Sequence, residues 1–165
     1  MSKIFINYRR EGGAYAAALL DELLSRRFGE NQVFRAARSL APGSDYSNSI
    51  LAAVVECAVM LVVIDKGWVE KFESEVCSSS VKRSWVVEEI EEAVKNSRTI
   101  IPVLLAGARN PIEERLPKGI ARVARLQYLR FDYRNTRQDV EFMSEWIVSL
   151  CPQVQRIRDW VNWRS

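Results

Sequence analysis

A run of apolar residues in the middle of the chain constrains the fold more than any other feature. Residues 58–64 read AVMLVVI, without a single polar position. Such a run is too short to span a bilayer as a helix, which takes about 20 residues. It is typical of a parallel strand that is buried on both faces. Because parallel strands are joined by crossover segments that cover the sheet, the run predicts an α/β domain.

Short apolar segments alternate with helical patterns along the rest of the chain. Further strands are predicted at residues 4–6, 33–34, 99–105 and 128–131, and helices over 16–28, from about 46, over 84–96 and over 140–150. Residues 36–45, which include Pro42-Gly43, are predicted as a loop. Pro102 lies inside the fourth strand, which predicts a position at or near a sheet edge. Five β–α repeats in this order predict a flavodoxin-like, doubly wound sheet of five parallel strands with helices on both faces.

In a sheet of this kind, the expected ligand-binding edge is the one formed by the carboxyl ends of the strands. The segments that follow the strands are therefore predicted to surround the site; they are residues 7–13, 34–45, 65–85 and the loop after Leu105. The predicted domain comprises residues 1–151, and residues 152–165 are interpreted as a C-terminal extension or the start of a linker. The apolar residues of this segment are Val154, Ile157, Trp160 and Val161.

Composition narrows the class of protein. The 165 residues suit one domain, and 48% hydrophobic and 27% charged residues are typical of an ordered globular protein. A net charge of +3, spread along the chain, argues against a dedicated nucleic-acid binder. The chain has no histidine, which excludes His-containing triads and His-ligated metals.

The predicted cellular location is the cytoplasm. Cys57, Cys77 and Cys151 lack the spacing of a metal site, and an odd number of cysteines suits a reducing compartment. No signal peptide is visible before the first strand.

Several families that share this architecture are excluded by the loops. Gly12-Gly13 lacks the spacing of a dinucleotide-binding fingerprint, and the sequence contains no Walker A motif. A response-regulator receiver would need paired acidic residues after the first strand, where residues 7–10 read NYRR. Asp65 therefore lacks the partners of a phosphoacceptor and is interpreted as a strand-end polar residue. Trp68, close behind it, is predicted to be a packing residue.

Five motifs, in the right order over roughly residues 3–131, resemble those of bacterial TIR domains. They are IFINYRR at 4–10, VF at 33–34 with the BB loop SLAPGSDY at 39–46, VVI at 62–64 with Gly67-Trp68, WVxxEIxxA at 85–93 and IIPVL at 100–104. The resemblance implies cleavage of the nicotinamide–ribose bond of NAD, with Glu89 as the catalytic carboxylate. Two positions depart from the family pattern. Asn7 stands where serine is usual, and residues 35–38, RAAR, are basic where many relatives carry acids.

Helical geometry separates Glu89 from the other glutamates of the helix at 84–96. Acidic residues near a helix N-terminus are usually solvated, and Ser84 as N-cap favours them there. At about 100° per residue, Glu89 flanks the apolar stripe that starts at Val86, whereas the glutamates at 88, 91 and 92 lie further from it. Trp85, four residues earlier, shares the face of Glu89. An aromatic ring beside a carboxylate suits a cationic heteroaromatic ligand.

The other candidate substrate-binding residues are Tyr8, Arg9, Arg10, Phe34, Ser39 and Arg38. The first three follow the first strand and are candidates for the ribose or the diphosphate, with ordinary surface positions as the alternative. Phe34 is either the ring that the family places against the substrate or a core residue at a strand end. Ser39 either binds substrate or shapes a turn. Arg38 contacts either phosphate or a neighbouring subunit.

Two functions from different classes are compatible with the sequence. The first is an NAD glycohydrolase that releases nicotinamide with ADP-ribose or a cyclic form, as an immune or anti-phage effector activated by self-association. The second is a non-catalytic signalling scaffold that acts by TIR–TIR association through the BB loop. The resemblance implies NAD as a substrate, with no separate cofactor. It also implies other copies of the domain and a fused or associated sensor domain as partners. No metal, membrane or direct nucleic-acid partner is expected from the composition and charge of the chain.

Overall fold

The strands form one sheet in the order β2-β1-β3-β4-β5, and every pair is parallel. The computed structural model describes residues 2–77 and 84–157. The strands are β1 (Ile4–Asn7), β2 (Val33–Phe34), β3 (Val59–Ile64), β4 (Thr99–Leu105) and β5 (Leu129–Phe131). The predicted flavodoxin-like architecture is confirmed.

The helices pack on both faces of the sheet. They are α1 (Arg10–Phe28), α2 (Ala36–Ser39), α3 (Tyr46–Glu56), α4 (Trp68–Cys77), α5 (Trp85–Lys95) and α6 (Thr136–Leu150), with short 3-10 helices at Glu30–Gln32, Glu113–Arg115 and Lys118–Arg125. Helices α1 and α6 cover one face, and α3, α4 and α5 cover the other. None of the helices in the described ranges combines the length and apolar character that crossing a membrane requires.

Strand β3 lies at the centre of the sheet and is buried on both faces, as its sequence predicts. None of its six residues is more than 1% exposed. Because successive strand residues point to opposite faces, Met60, Val62 and Ile64 join the core beneath α3, α4 and α5. The alternate residues join the core beneath α1 and α6. Burial of each large side chain stabilises the fold by about 1.5–3 kcal/mol.

The position of Pro102 near a sheet edge agrees with the pairing of β4. Pro102 lies opposite Val62 of β3 in the parallel register. The edge strand β5 pairs only with residues 103–105 of β4. Pro102 therefore lies just before the part of β4 that is paired on both sides. A proline is tolerated at such a position, because one side of the strand is still unpaired there.

Two local predictions are wrong. The predicted loop at 36–45 begins with the helix α2, because contacts from Arg35 and Arg38 to Asp21 hold in place a segment that starts with two alanines. The connection from β4 to β5 contains only 3-10 helices, so the fourth repeat lacks an α-helix. Pro111 and Pro117 account for this, since each removes a backbone N–H that a continuous helix would need.

Residues 152–157 pack against α1 and α6. Val154 is buried in the core beneath these helices. The Ile157 N–H donates to the Arg27 carbonyl oxygen at 2.8 Å, and Arg156 pairs with Glu141 at 2.8 Å. Trp160 and Val161 of the same segment lie outside the described residues. The domain boundary at residue 151 stays a prediction.

The turn between β1 and α1 depends on Gly12. At the start of α1, Glu11 and Gly12 depart from helical geometry, and Gly12 has a φ of 100°. A Cβ at this position would overlap the Asp65 carboxylate. Asp65 is itself fixed there, because it accepts a hydrogen bond from the Gly67 N–H at 3.2 Å. The positive φ and the close approach together require glycine.

Gly12→Ala is expected to lower the free energy of unfolding by about 1–3 kcal/mol, because alanine is strained at this φ and collides with Asp65. Urea denaturation followed by circular dichroism measures the change. Gly13→Ala is the matched control, since its Cβ would meet its nearest neighbour, the Tyr8 Cβ, at an ordinary 3.5 Å. Equal stability of the two variants would contradict the expectation.

Candidate functional site

A cleft of about 370 Å³ lies at the carboxyl end of β1, beside the N-terminus of α5. Side chains from segments that are distant in sequence line it: Phe5, Ile6, Tyr8, Arg9, Arg10, Glu11, Ala36, Tyr46, Glu75, Ser84, Trp85, Val86 and Glu89. This is the edge of the sheet at which the sequence predicts a ligand site.

Glu89 is the glutamate of α5 that the fold buries. It is 8% exposed, whereas the glutamates at 88, 91 and 92 are partly exposed. Helix α5 begins after Ser84, whose hydroxyl accepts a hydrogen bond from the Val86 N–H at 3.3 Å. Val86 and Ile90 then bury the apolar face of the helix in the core, which directs Glu89 into the cleft. The choice of Glu89 by helical geometry therefore agrees with the structure.

The Glu89 carboxyl is held largely in its neutral form at neutral pH. Burial raises the pKa of Glu89 to about 8, the hydrogen bond from Asn7 opposes this, and the charge of Glu88 adds to it. Asn7 Nδ2 lies 3.0 Å from Glu89 Oε1 and 3.3 Å from the Val86 carbonyl oxygen. A carboxyl group in a cleft with a pKa shifted towards neutral pH is typical of a catalytic group.

Glu89→Gln is expected to stabilise the fold increasingly as the pH rises, because glutamine has no charge to bury. The carboxyl ionises at its ordinary pKa of 4.5 in the unfolded chain and at about 8 in the folded one. Between these values the folded state binds the extra proton, so wild-type stability falls as pH rises. At about 1.4 kcal/mol per pKa unit, the variant gains on the order of 4 kcal/mol by pH 8. Urea denaturation at several pH values measures the gain, and a gain independent of pH would contradict the buried, neutral carboxyl.

Trp85 forms an aromatic wall beside Glu89. The two residues are one helical turn apart on α5 and line the same cleft. The Trp85 ring is half-buried and meets Tyr46 edge to face, with ring centroids 5.4 Å apart. Tyr46 is fixed at the start of α3 because the Asp45 carboxylate caps that helix. The wall leaves an aromatic surface next to the carboxyl, where a cationic ring could bind.

Arg9 is a buried cation in the same cleft. Its side chain is 4% exposed, and its Nη1 donates to Glu75 Oε1 at 2.8 Å. The guanidinium also lies over the Phe72 ring, 4.1 Å from the centroid. Nε and Nη2 are buried without a hydrogen-bond partner among the described residues. A guanidinium with two such donors is suited to an anionic group such as phosphate.

Tyr8 and Arg10 flank Arg9 and also line the cleft, Tyr8 half-buried and Arg10 exposed. Their turn is anchored to α4, which carries Lys71. Lys71 Nζ donates to the Glu11 carbonyl oxygen and lies 3.7 Å from the Asp65 carboxylate. Asp65 therefore acts as the strand-end polar residue that the sequence predicts.

Phe34 and Ser39 lie outside the cleft. Phe34 is buried and stacks on Phe5, with ring centroids 5.0 Å apart, so it belongs to the core under the cleft. The Ser39 hydroxyl accepts a hydrogen bond from the Arg35 N–H at 3.0 Å, which shapes the start of α2. Phe34 thus has the core position, and Ser39 the turn-shaping role, that the sequence leaves open beside substrate binding.

Arg38 also lies away from the cleft, bound to a buried carboxylate of α1. Asp21 accepts hydrogen bonds from Arg35 Nε at 2.8 Å and from Arg38 Nε and Nη2 at 2.7 Å each. Although burial alone would raise it, these hydrogen bonds hold the pKa of Asp21 below its usual range. Arg35 and Arg38, which precede the BB loop, thus tie its base to α1.

The loop after Leu105 does not reach the cleft, so the prediction that it faces the same site is wrong. It lines a separate depression of about 550 Å³, together with Asp65 and Lys66 after β3. The reason is the strand order, in which β3 lies between β1 and β4. The ends of β1 and β4 are therefore two strands apart.

Four side chains at the site were not predicted as functional: Asn7, Tyr46, Phe72 and Glu75. Asn7 is marked in the sequence only as a departure from the family pattern. The spacing of Trp68 and Phe72 is a helical signal that could have revealed α4. Trp68 is fully buried and packs edge to face on Phe72, which confirms its predicted packing role. No sequence signal shows that Phe72 contacts Arg9.

The sheet order and the cleft at the end of β1 define a doubly wound α/β protein with a candidate ligand site at its switch point. Residues 4–146 match the TIR domain family, and the chain belongs to that family. The resemblance found in the motifs is thus confirmed at the level of the family, while the bacterial subclass stays a prediction. No curated protein gives a sequence match.

Solved structures support the fold. The TIR domains of the activated Roq1 resistosome, which directly recognizes the pathogen effector XopQ, match with a TM-score of 0.62 and 15% identity over 89% of this chain and 99% of that chain. The TIR domain of the Toll-related receptor TRR-2 from Hydra magnipapillata matches with a TM-score of 0.57 and 19% identity, over 91% and 98%. A TIR-STING receptor from C. gigas, solved with 2′,3′-cGAMP, matches with a TM-score of 0.54 and 21% identity, over 86% and 39%. At such low identities the likeness shows the fold alone.

Proposed function

We propose that this TIR domain is an NAD glycohydrolase that cleaves the nicotinamide–ribose bond with Glu89 as the catalytic carboxylate. The observation that carries the proposal is the burial of Glu89 in a cleft that also holds the Trp85 ring and the Arg9 guanidinium. NAD offers matching groups, namely a cationic nicotinamide ring, ribose hydroxyls and a diphosphate. The proposed products are nicotinamide and ADP-ribose or a cyclic form of it.

The reaction needs one carboxylate rather than the two of an ordinary glycosidase. A glycosidase uses its second carboxyl to protonate the leaving oxygen. In NAD the electron pair of the C1′–N bond leaves with the ring, so nicotinamide departs as a neutral molecule without a proton donor. The ribose is left with oxocarbenium-like positive charge, which the Glu89 carboxylate stabilises in a desolvated site. Water then adds to C1′ and releases a proton, or an internal nucleophile closes the ring.

The raised pKa of Glu89 fits this reaction. In the free cleft, a neutral carboxyl avoids an unpaired buried charge. A cationic nicotinamide ring held beside Trp85 would lower the pKa of Glu89 through its opposite charge. Substrate binding and ionisation of Glu89 are therefore coupled, and the carboxylate is charged when positive charge develops on the ribose.

Arg9 and Arg10 are assigned to the diphosphate in this proposal, and Tyr8 to the adjoining ribose. The support is strongest for Arg9, whose buried Nε and Nη2 have no hydrogen-bond partner within the described ranges. The ion pair with Glu75 and the Phe72 ring beneath the guanidinium hold Arg9 in place before the ligand arrives.

Self-association belongs to the same proposal. The cleft receives Ala36 from α2, just before the BB loop of its own chain, while Ser39 and Arg38 point elsewhere. A segment from a neighbouring copy could then cover the open side of the cleft, and activity would depend on assembly. An immune or anti-phage role with a fused or associated sensor domain belongs to the proposal as what membership of the TIR family suggests.

The test is product analysis after incubation of the concentrated domain with NAD. Chromatography is expected to show nicotinamide together with an equal amount of ADP-ribose or its cyclic form. Absence of nicotinamide in every assembled state, including with a crowding agent, would contradict the proposal and favour the non-catalytic scaffold. A scaffold has no use for a buried carboxyl, whose desolvation costs stability.

A further inference from the structure

Asn7 and Glu89 meet in a contact that joins two distant parts of the chain. Asn7 is the last residue of β1 and is fully buried. Its Nδ2 donates to Glu89 Oε1 at 3.0 Å, across 82 residues of sequence, and to the Val86 carbonyl oxygen at 3.3 Å. One amide therefore binds both a backbone carbonyl in the first turn of α5 and the Glu89 carboxyl in the turn that follows.

The Val86 carbonyl determines which way the Asn7 amide points. A carbonyl oxygen only accepts hydrogen bonds, so the amide nitrogen has to face α5. Asn7 Oδ1 is consequently turned away, and it has no hydrogen-bond partner among the residues that the structure describes. Rotation of the amide would place Oδ1 against the Val86 oxygen, where two acceptors repel each other, and would lose the hydrogen bond to that carbonyl. Glu89 thus receives a donor whether its carboxyl is neutral or charged.

We propose that Asn7 is a positioning residue for Glu89, an inference that rests on the proposed catalytic role of that carboxyl. The amide holds Oε1 in one orientation at the floor of the cleft and favours the charged form that the reaction uses. The other polar groups around the cleft supply charge or polarity at its walls: Tyr8, Arg9, Arg10 and Glu11 from the β1–α1 turn, Tyr46 from α3, Glu75 from α4, Ser84 before α5, and Glu88 on α5 itself. The serine that is usual in resembling sequences is shorter than asparagine and reaches less far towards α5.

The test replaces Asn7 by leucine, which has a similar size and no donor. Titration of the Glu89 carboxyl by carbon-13 NMR is expected to show its midpoint raised by about one unit or more, since a hydrogen bond to the charged form is lost. The kcat for nicotinamide release is expected to fall roughly 10- to 100-fold with little change in KM. Ser144→Ala is the matched control, because it removes another fully buried hydrogen bond, to the Val140 carbonyl oxygen on α6, on the other face of the sheet. It should leave the Glu89 midpoint unchanged.

An unchanged Glu89 midpoint in Asn7→Leu would overturn the positioning role. If Asn7→Leu does not fold, the same titration is made on Asn7→Ser. The expected result is a Glu89 midpoint above that of the wild type, and an unchanged midpoint would again overturn the positioning role. Absence of nicotinamide release by the wild type would instead overturn the proposed reaction. The titration does not depend on activity, so the two failures can be distinguished.

Discussion

Glu89→Gln is expected to slow nicotinamide release from NAD by about two to three orders of magnitude, because a neutral amide cannot stabilise the positive charge of the ribose. Glutamine keeps the size of the side chain and an oxygen that can accept the hydrogen bond of Asn7. The fold and the binding of NAD should therefore persist, and the loss should fall on kcat. Steady-state release of nicotinamide, measured at equal protein concentration and assembly state, gives the effect.

Glu88→Gln is the matched control for this prediction. Glu88 is the preceding residue on α5 and is partly exposed, so its substitution removes the same charge from the same helix. It is expected to retain activity within a small factor of the wild type. Equal losses in the two variants would indicate an effect of helix charge, and full activity of Glu89→Gln would remove the carboxylate from the mechanism.

The main elements of the fold were predictable because burial dictates their pattern. Strand β3 is apolar throughout because both of its faces are covered. Ser84 marks the start of α5 in the sequence, because its hydroxyl caps that helix. The helix α2 was not predictable in this way. Its four residues are too few to show a period, and tertiary contacts from Arg35 and Arg38 to Asp21 hold it in place.

The site was predictable where it depends on one helix and unpredictable where it depends on long-range contacts. Glu89 differs from its neighbours by its angle around α5, which the sequence contains. The environment of Arg9 arises because the fold brings Glu75 to it across 66 residues of sequence. The role of Phe34 was also not predictable. A phenylalanine at a strand end looks the same in the sequence whether its ring packs on Phe5 or faces a ligand.

The pH dependence of NAD cleavage is the second large effect that the site implies. The kcat/KM for NAD reports the ionisation of the free enzyme, and Glu89 there has a pKa of about 8 because it is buried. Below that value most of the carboxyl is neutral and unable to stabilise the ribose cation. The value of kcat/KM is therefore expected to rise roughly tenfold per pH unit from about pH 6 towards pH 8 and to level off above it.

The pH profile of kcat should differ from that of kcat/KM, and the difference identifies Glu89 as the titrating group. kcat reports the enzyme–NAD complex, where the cationic ring beside Glu89 lowers the pKa of the carboxyl, so its acid limb should lie at lower pH than that of kcat/KM. Initial rates between about pH 5.5 and 9.5 at constant ionic strength measure both limbs, with circular dichroism to confirm that the domain stays folded. The residual rate of Glu89→Gln should lack the limb altogether, because that variant has no carboxyl to titrate at this position. A flat kcat/KM profile in the wild type would mean that ionisation of Glu89 does not control the reaction.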